Sequence, residues 1–435
     1  MKQDIRILVI TVPSWNSKVG ANSWASLLEG YPSENVASIY IRDEIPDSNV
    51  CSRYFNISEN KIIRSIAKRG TKTGTLVTPE SVNENDRDLE AHNQRYVRMK
   101  KKRRYSMLLA REIIWKVGKW RTPELDAFLD DFKPDIILHS MDGYIHLNRI
   151  IEYAIKRTGA RAIGYIWDDN FTYKQHSDLG YKIYRYFQRR SLVRLANLTD
   201  EFLAISPYTK KEADSFFKIK STVITKPLSK EPIVTEYDGQ LPIRMVYTGN
   251  LLIGRDQSLV RLCRALKEVN SSDDKVCLDV YTQTVLPEEV LTELESSFCH
   301  IHKPIPQSEA LQKQNEADVL LFLEDIDGKD AKVARLSFST KITDYLSAGK
   351  CIFAIGNSDT APMQYFIENN AAIVCDSDEK ILSGLQEILN DNHTLTEYAE
   401  RASKAGKNNH DPEKIRELLF DSIAMAYEAK DARHK

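Results

Sequence analysis

Arg244-Met245-Val246-Tyr247-Thr248-Gly249-Asn250-Leu251-Leu252-Ile253-Gly254-Arg255-Asp256-Gln257-Ser258-Leu259 reads as a buried strand, a turn with two glycines and the start of a helix. The strand is Arg244–Thr248 and the helix Gln257–Glu268. Glycine lets backbone approach a ligand closely. A guanidinium beside free helix-start N–H groups suits a pyrophosphate. Gly249, Asn250 and Arg255 are therefore candidate anion-binding residues. The plain alternative is a strand-end turn with a solvated arginine.

The same unit recurs in both directions. Downstream, strands are expected at Val276–Tyr281, His300–His302, Asp318–Leu323, Cys351–Ala354 and Ala372–Val374. Helices Gln307–Asn315, Thr340–Ser347 and Glu413–Ala429 fall between or after them. Upstream, strands are expected at Ile5–Thr11, Val36–Ile41, Ile136–His139, Arg161–Trp167 and Glu201–Ile205. The helices there are Pro123–Phe132, with Thr122 as N-cap, Leu147–Arg157 and Leu179–Leu195. The stretch from Pro46 to Ser106 is polar, charge-dense and without a clear period. Alternating strands and helices predict parallel sheets covered on both faces. Lys226 to Pro242 contains Pro227, Pro232 and Pro242 and little periodicity, which marks a linker. The chain divides into a domain 1–228, a linker 229–242, a domain 243–410 and a C-terminal helix 411–435 that returns towards the first domain. The fold class is α/β, with two Rossmann-like doubly wound domains. Ligands of such sheets bind beyond the carboxyl ends of the strands, and with two domains in the cleft between them.

Composition bounds the function. The chain has 435 residues, enough for two large domains. Lys and Arg number 61 against 62 Asp and Glu, a formal charge of −1, which removes the simplest case for a nucleic-acid binder. The six cysteines are scattered without a CxxC pair, which argues for buried thiols in a reducing, cytoplasmic compartment. No apolar run approaches the roughly 20 residues of a bilayer span, and Asp4 and Arg6 interrupt any secretory signal. Neither GxGxxG after the first strand nor GxxxxGK[ST] occurs, so dinucleotide-binding and P-loop readings are unsupported.

A second informative stretch is Leu336-Ser337-Phe338-Ser339-Thr340-Lys341-Ile342-Thr343-Asp344-Tyr345-Leu346-Ser347-Ala348-Gly349. Ser339 or Thr340 can cap the helix, whose first turn offers N–H groups and Lys341. Asp344 lies one turn later on the same face, where a carboxylate can accept both hydroxyls of a ribose. The alternative is an ordinary capped surface helix. Taken with Gly249 to Arg255, with Glu316-Ala317-Asp318-Val319-Leu320-Leu321, and with the order of elements over nearly the whole chain, this stretch resembles glycosyltransferases of the GT-B fold. The similarity is greatest to the retaining family-4 type, and Val50-Cys51-Ser52-Arg53-Tyr54-Phe55 is similar to bacterial surface-polysaccharide members.

The resemblance implies two Rossmann-like domains facing across a cleft. A nucleotide-diphosphate sugar is held mainly by the second domain, and a carbohydrate or lipid-linked acceptor by the first. It puts Arg255 on the donor pyrophosphate, Lys341 on a phosphate, and Asp344 at the second acid of the family's paired-glutamate motif, on the ribose. The first acid falls at Ser337, which is not an acid, and the family's usual Arg falls near Asn250. In the first domain, Tyr165-Ile166-Trp167-Asp168-Asp169-Asn170 falls where members carry a His–Asp pair, with Trp167 in place of the His. Asp168 or Asp169 would orient the acceptor hydroxyl, or else simply cap a strand-end turn. Gly20 and Asn22, in the loop after the first strand, would lie beside the donor phosphates. No metal or other cofactor is expected, and the acidic Glu324-Asp325-Ile326-Asp327 reads as a loop near the donor. His139 is either part of the acceptor strand's end or a buried, satisfied histidine. Arg98 to Arg104 is a dense basic run. With the apolar stripe of Met107, Leu108, Ile114, Trp115, Val117 and Trp120, it suggests peripheral membrane attachment, with a solvated basic helix before a core helix as the alternative. A nucleotide-sugar epimerase, a phosphorylase, or a non-catalytic binding subunit on the same fold are the rival functions.

Overall fold

A computed structural model describes residues 4–16, 23–68, 70–77, 105–391 and 393–433. The chain forms two compact units. Unit 1 comprises Met1–Tyr173, Ser177–Ile224 and Arg416–Lys435, and unit 2 comprises Lys174–His176 and Thr225–Ile415.

Unit 1 is built on an eight-stranded sheet ordered β4-β3-β2-β1-β5-β6-β7-β8. Its strands are β1 (Ile7–Thr11), β2 (Val36–Tyr40), β3 (Arg53–Ile57), β4 (Gly74–Val77), β5 (Ile136–Ser140), β6 (Arg161–Ile166), β7 (Glu201–Ala204) and β8 (Ser221–Val223). Its helices are α1 (Ser23–Leu27), α2 (Glu59–Ala67), α3 (Tyr105–Val117), α4 (Pro123–Phe132), α5 (Ile145–Thr158), α6 (Leu179–Ala196) and α7 (Pro207–Phe217). β1, β2 and β5 are buried along their whole length, as continuous apolar runs covered on both faces require. Seven strands run parallel, but β4 pairs antiparallel with β3 at the edge, which corrects the expectation of a purely parallel sheet. β3, α2 and β4 lie in the stretch from which no elements were expected. α4 has the bounds its signals predict. The Thr122 side chain accepts the Leu125 N–H, Pro123 opens the first turn, and Lys133 closes it in the left-handed region.

Unit 2 holds a six-stranded, all-parallel sheet ordered β11-β10-β9-β12-β13-β14. The strands are β9 (Ile243–Thr248), β10 (Val276–Tyr281), β11 (Cys299–His302), β12 (Val319–Leu323), β13 (Cys351–Ile355) and β14 (Ile373–Cys375). The helices are α8 (Arg255–Val269), α9 (Glu288–Leu294), α10 (Gln307–Glu316), α11 (Lys329–Ala334), α12 (Lys341–Ala348), α13 (Ala361–Asn369), α14 (Asp378–Asn390) and α15 (His393–Asn409). The last helix, α16 (Pro412–Arg433), begins in unit 2 and continues in unit 1. One core joins the apolar faces of α8 and α14 to the inner residues of the sheet, among them Leu259, Leu262, Leu278, Leu321, Phe353 and Leu385. The proline-bearing stretch after Thr225 lies against unit 2: Leu228 N donates to the His410 carbonyl and Ser229 N to Ser347 Oγ.

All six cysteines are free thiols, and five of them are buried. No helix among the described residues is long and apolar enough to cross a membrane. Of the stripe proposed for membrane attachment, Met107 and Val117 are exposed but the two tryptophans are not. Trp115 stacks on His146 at 4.5 Å and Trp120 packs edge-on to Tyr153 at 5.7 Å, both buried. Aromatic area of that size is best removed from water, so both tryptophans join the core. The basic run at 98–104 lies outside the described residues.

Candidate active site

In unit 2 strand order reverses between β9 and β12, and the carboxyl ends of both strands carry the charged residues. At such a switch point the two flanking loops diverge and leave a crevice. β9 runs into Gly249, whose φ of +136° suits glycine alone. A Cβ there would stand 2.2 Å from Lys341 Nζ. The missing side chain is therefore what lets the lysine cross the turn. Gly254, at φ +73°, is the N-cap of α8 and contributes no side-chain cap. Its bare Cα faces Asp325: a Cβ would fall 2.5 Å from the carboxyl carbon.

Arg255 opens α8. Its Nε donates to the Leu323 carbonyl at 3.0 Å, Nη1 to Asn250 Oδ1 at 3.0 Å and Nη2 to Glu324 Oε1 at 2.8 Å. Three of five N–H groups thus fix the guanidinium plane, and two have no partner among the described residues. Glu324, just past β12, is buried. One oxygen holds Arg255, and the other has no hydrogen-bond partner among the described residues. A buried charge pair of this kind is kept by geometry rather than by net stabilisation.

Lys341, the first residue of α12, donates from Nζ to Tyr247 OH at 3.1 Å and lies 4.4 Å from the centre of that ring. Tyr247 OH in turn donates to the Asn250 carbonyl at 2.6 Å. Burial first, and the neighbouring Arg255 second, bring the lysine's pKa down to about 7; Glu324 and Asp344 work against that shift. Asp344 accepts from Lys226 Nζ at 2.6 Å. Lys341, Tyr247, Asn250, Arg255 and Glu324 therefore form one connected polar network, with the Asp344–Lys226 pair one turn further along α12.

The expected caps of α12 divide differently. Ser339 Oγ accepts from Lys341 N at 3.4 Å, whereas Thr340 makes no side-chain cap and its carbonyl accepts from Thr343 Oγ1. Both helix starts at this crevice carry weak caps or none, which leaves N–H groups for an anion.

In unit 1 the sequence-predicted residues part company. Asp169 is buried, and its carboxylate accepts from Thr172 N at 2.9 Å and Thr172 Oγ1 at 2.5 Å, a turn-closing role. Asp168 stays exposed beside it. Trp167 Nε1 donates to Asp142 Oδ1 at 3.0 Å and Ser140 Oγ to Asp142 Oδ2 at 2.6 Å. Asp142 sits just beyond β5, beside the reversal between β1 and β5, and burial pushes its carboxyl pKa up. It was missed in the sequence, where its only signal is position: a carboxylate two residues past a buried strand. His139 is fully buried, its ring bonded to Thr199 Oγ1 at 3.1 Å and its pKa lowered to about 4 by burial. It is a satisfied core histidine. Gly20 and Asn22 lie outside the described residues. Asp325 is enclosed by Gly254 and Gly328 and accepts from Ala331 N at 3.1 Å, so the acidic loop is structural at that residue. Among the described residues no three His, Cys, Asp or Glu side chains converge to hold a metal ion.

No protein-family model matches the chain, and no curated protein matches it. Solved structures do. An α,α-trehalose-6-phosphate synthase from Burkholderia multivorans superposes with a TM-score of 0.60 at 10% identity, over 99% of this chain and 98% of the other. Anabaena Alr3699/HepE, solved with UDP and glucose, gives 0.61 at 9% identity over 97% and 100%. S. aureus TarM, solved with UDP and a GlcNAc-glycerol, gives 0.51 at 10% identity over 69% and 58%. At these identities the likeness defines the fold, and that fold is GT-B: two Rossmann-like α/β domains in one chain.

Proposed function

We propose that the chain is a glycosyltransferase that moves a sugar from a nucleotide-diphosphate sugar to a carbohydrate or lipid-linked acceptor, with retention, in cell-surface polysaccharide synthesis in the cytoplasm. The observation that carries this reading is the network at the β9/β12 reversal. Arg255 is oriented with two N–H groups to offer, and Lys341 is poised near neutral pKa above a bare glycine. In the reaction the bond from the sugar's C1 to the diphosphate oxygen breaks and a bond from C1 to the acceptor oxygen forms. The acceptor's proton leaves with the diphosphate. The charge that develops on the departing oxygen is what Arg255, Lys341 and the α8 and α12 N-termini would neutralise. The reading calls for no metal. Asp344 would take the ribose, and the unpartnered Glu324 oxygen is a second acceptor for a donor hydroxyl. In unit 1, Asp142 replaces Asp168 and Asp169 as the carboxyl best placed for an acceptor. The relatives solved with UDP support the choice of donor class.

The competing reading is a binding subunit without catalysis. It is favoured by Ser337 in place of an acid and by Trp167, whose indole N–H is engaged by Asp142. A thermal-shift screen against nucleoside diphosphates and their sugars tests the donor site. One nucleoside diphosphate should raise the melting temperature, and Arg255→Lys, which keeps the charge but loses the fork, should weaken its binding roughly tenfold. Indifference to every nucleotide would refute the assignment. Binding without slow release of nucleoside diphosphate from the matching sugar would favour the subunit.

A further inference from the structure

α6 presents an apolar face that nothing in the described structure covers. Its inward residues recur at helical spacing: Tyr181, Tyr184, Arg185, Gln188, Leu192 and Leu195 are buried. On the opposite side Leu179 is 73% exposed, Ile183 43%, Tyr186 48% and Phe187 47%. With Tyr173 and Lys182, three of these line an open groove of about 570 Å³ whose surface is almost wholly apolar. Isolated exposed apolar residues need no explanation, but a contiguous apolar stripe on one helix does.

The charge of the helix says what covers it. Between Leu179 and Ala196 stand Lys182, Arg185, Arg189, Arg190 and Arg194, and no carboxylate, in a chain whose overall charge is −1. Arg185 is buried and Arg194 reaches Glu152 at 3.6 Å. Lys182 and Arg190 flank the stripe in the open. Arg190 donates to Tyr186 OH at 3.2 Å. Arg189 lies 4.6 Å from the Tyr173 ring and 4.2 Å from Phe216, bracing the groove wall. A second copy of this chain would bring the same cations against themselves across a two-fold axis, which like-charge repulsion opposes. A surface that is anionic outside and apolar a few ångströms below fits both features.

We propose that α6 docks unit 1 on an anionic phospholipid bilayer. Leu179, Ile183, Tyr186 and Phe187 enter the headgroup boundary, and Lys182 and Arg190 meet lipid phosphates. This does not rest on the glycosyltransferase reading, and it uses neither the basic run at 98–104 nor the buried tryptophans.

The test is flotation of the full chain with vesicles of phosphatidylcholine alone or with roughly one-third phosphatidylglycerol. The expected result is flotation with the anionic vesicles only, reduced about tenfold or more by the double variant Ile183→Asp/Phe187→Asp and weakened by about 0.5 M salt. Lys182→Glu/Arg190→Glu, which touches no apolar residue, should give a comparable loss. Val285→Asp, at an exposed apolar residue of unit 2 (81% exposed), should float like the parent. Circular dichroism checks that each variant is folded. The proposal is overturned if the parent does not float at low salt, or if folded variants of both α6 pairs float undiminished. It is equally overturned if sedimentation velocity finds a dimer that Ile183→Asp/Phe187→Asp dissolves, or if an acidic polypeptide binds this face and vesicles do not.

Discussion

Lys341 is the residue whose chemistry is most altered by its surroundings. An ordinary lysine is protonated up to about pH 10.5, but here burial and Arg255 bring that point down to about 7. Between these two values the unfolded chain holds a proton that the folded site has shed. The contribution of Lys341 to stability therefore grows as pH rises across that window and is lost as pH falls towards 7. Anion binding runs the other way, because a diphosphate favours the ammonium. Nucleoside diphosphate affinity should fall from pH 7 to pH 9, and binding should take up a proton near neutrality. Calorimetry in two buffers of different ionisation enthalpy reads that proton directly. In Lys341→Met both the proton uptake and the pH slope should vanish; a parent protein with pH-independent affinity would contradict the role given to this lysine.

At the scale of elements, the turn between β9 and α8 is held by what its glycines leave out. Gly254 combines a left-handed backbone with a close approach of Asp325. An alanine there adds backbone strain of about 1–2 kcal/mol to a steric conflict that Asp325 cannot relieve without releasing Ala331 N. Gly254→Ala should therefore lower the stability of unit 2 by about 2 kcal/mol or more, a fall of several degrees in melting temperature. It should also shrink the thermal shift given by nucleoside diphosphate, since Arg255 is the next residue. An alanine variant with unchanged melting temperature would show that the turn tolerates a side chain. Other elements announced themselves by composition. Pro123–Phe132 carried its cap and its opening proline in the sequence, and β10 had the expected bounds. β3 and β4 did not, because Arg53–Ile57 is a mixed run that only its neighbours β2 and β4 make into a strand.

For the whole molecule, the division into two units matters most at the C-terminus. From Arg416 onward α16 belongs to unit 1, where Leu419, Ile423 and Ala426 are buried and Phe420 stacks on Tyr31 at 5.5 Å. Burying one such aliphatic side chain stabilises by about 1.5–3 kcal/mol. Removing residues 416–435 should cost unit 1 several kcal/mol and make it the more readily proteolysed unit. The nucleotide site proposed for unit 2, whose residues all lie between 225 and 415, should still bind. Equal loss in both units, seen by limited proteolysis with and without nucleoside diphosphate, would contradict that division.

By itself the sequence determined the α/β class, the order of most strands and helices, and the pair of segments around Arg255 and Lys341. These follow from local rules: apolar runs of strand length, caps, and glycines where a strand must turn. Tertiary structure alone decided which charges meet. Glu324 was legible as part of an acidic loop, but not as the partner that fixes Arg255, since the two are 69 residues apart. Asp142 met Trp167 only when β5 and β6 became neighbours, and the tryptophans of α3 and its end went to the core while the apolar face of α6 stayed out. Hydrogen bonds and burial act through distance in space, and distance along the chain carries little of that information.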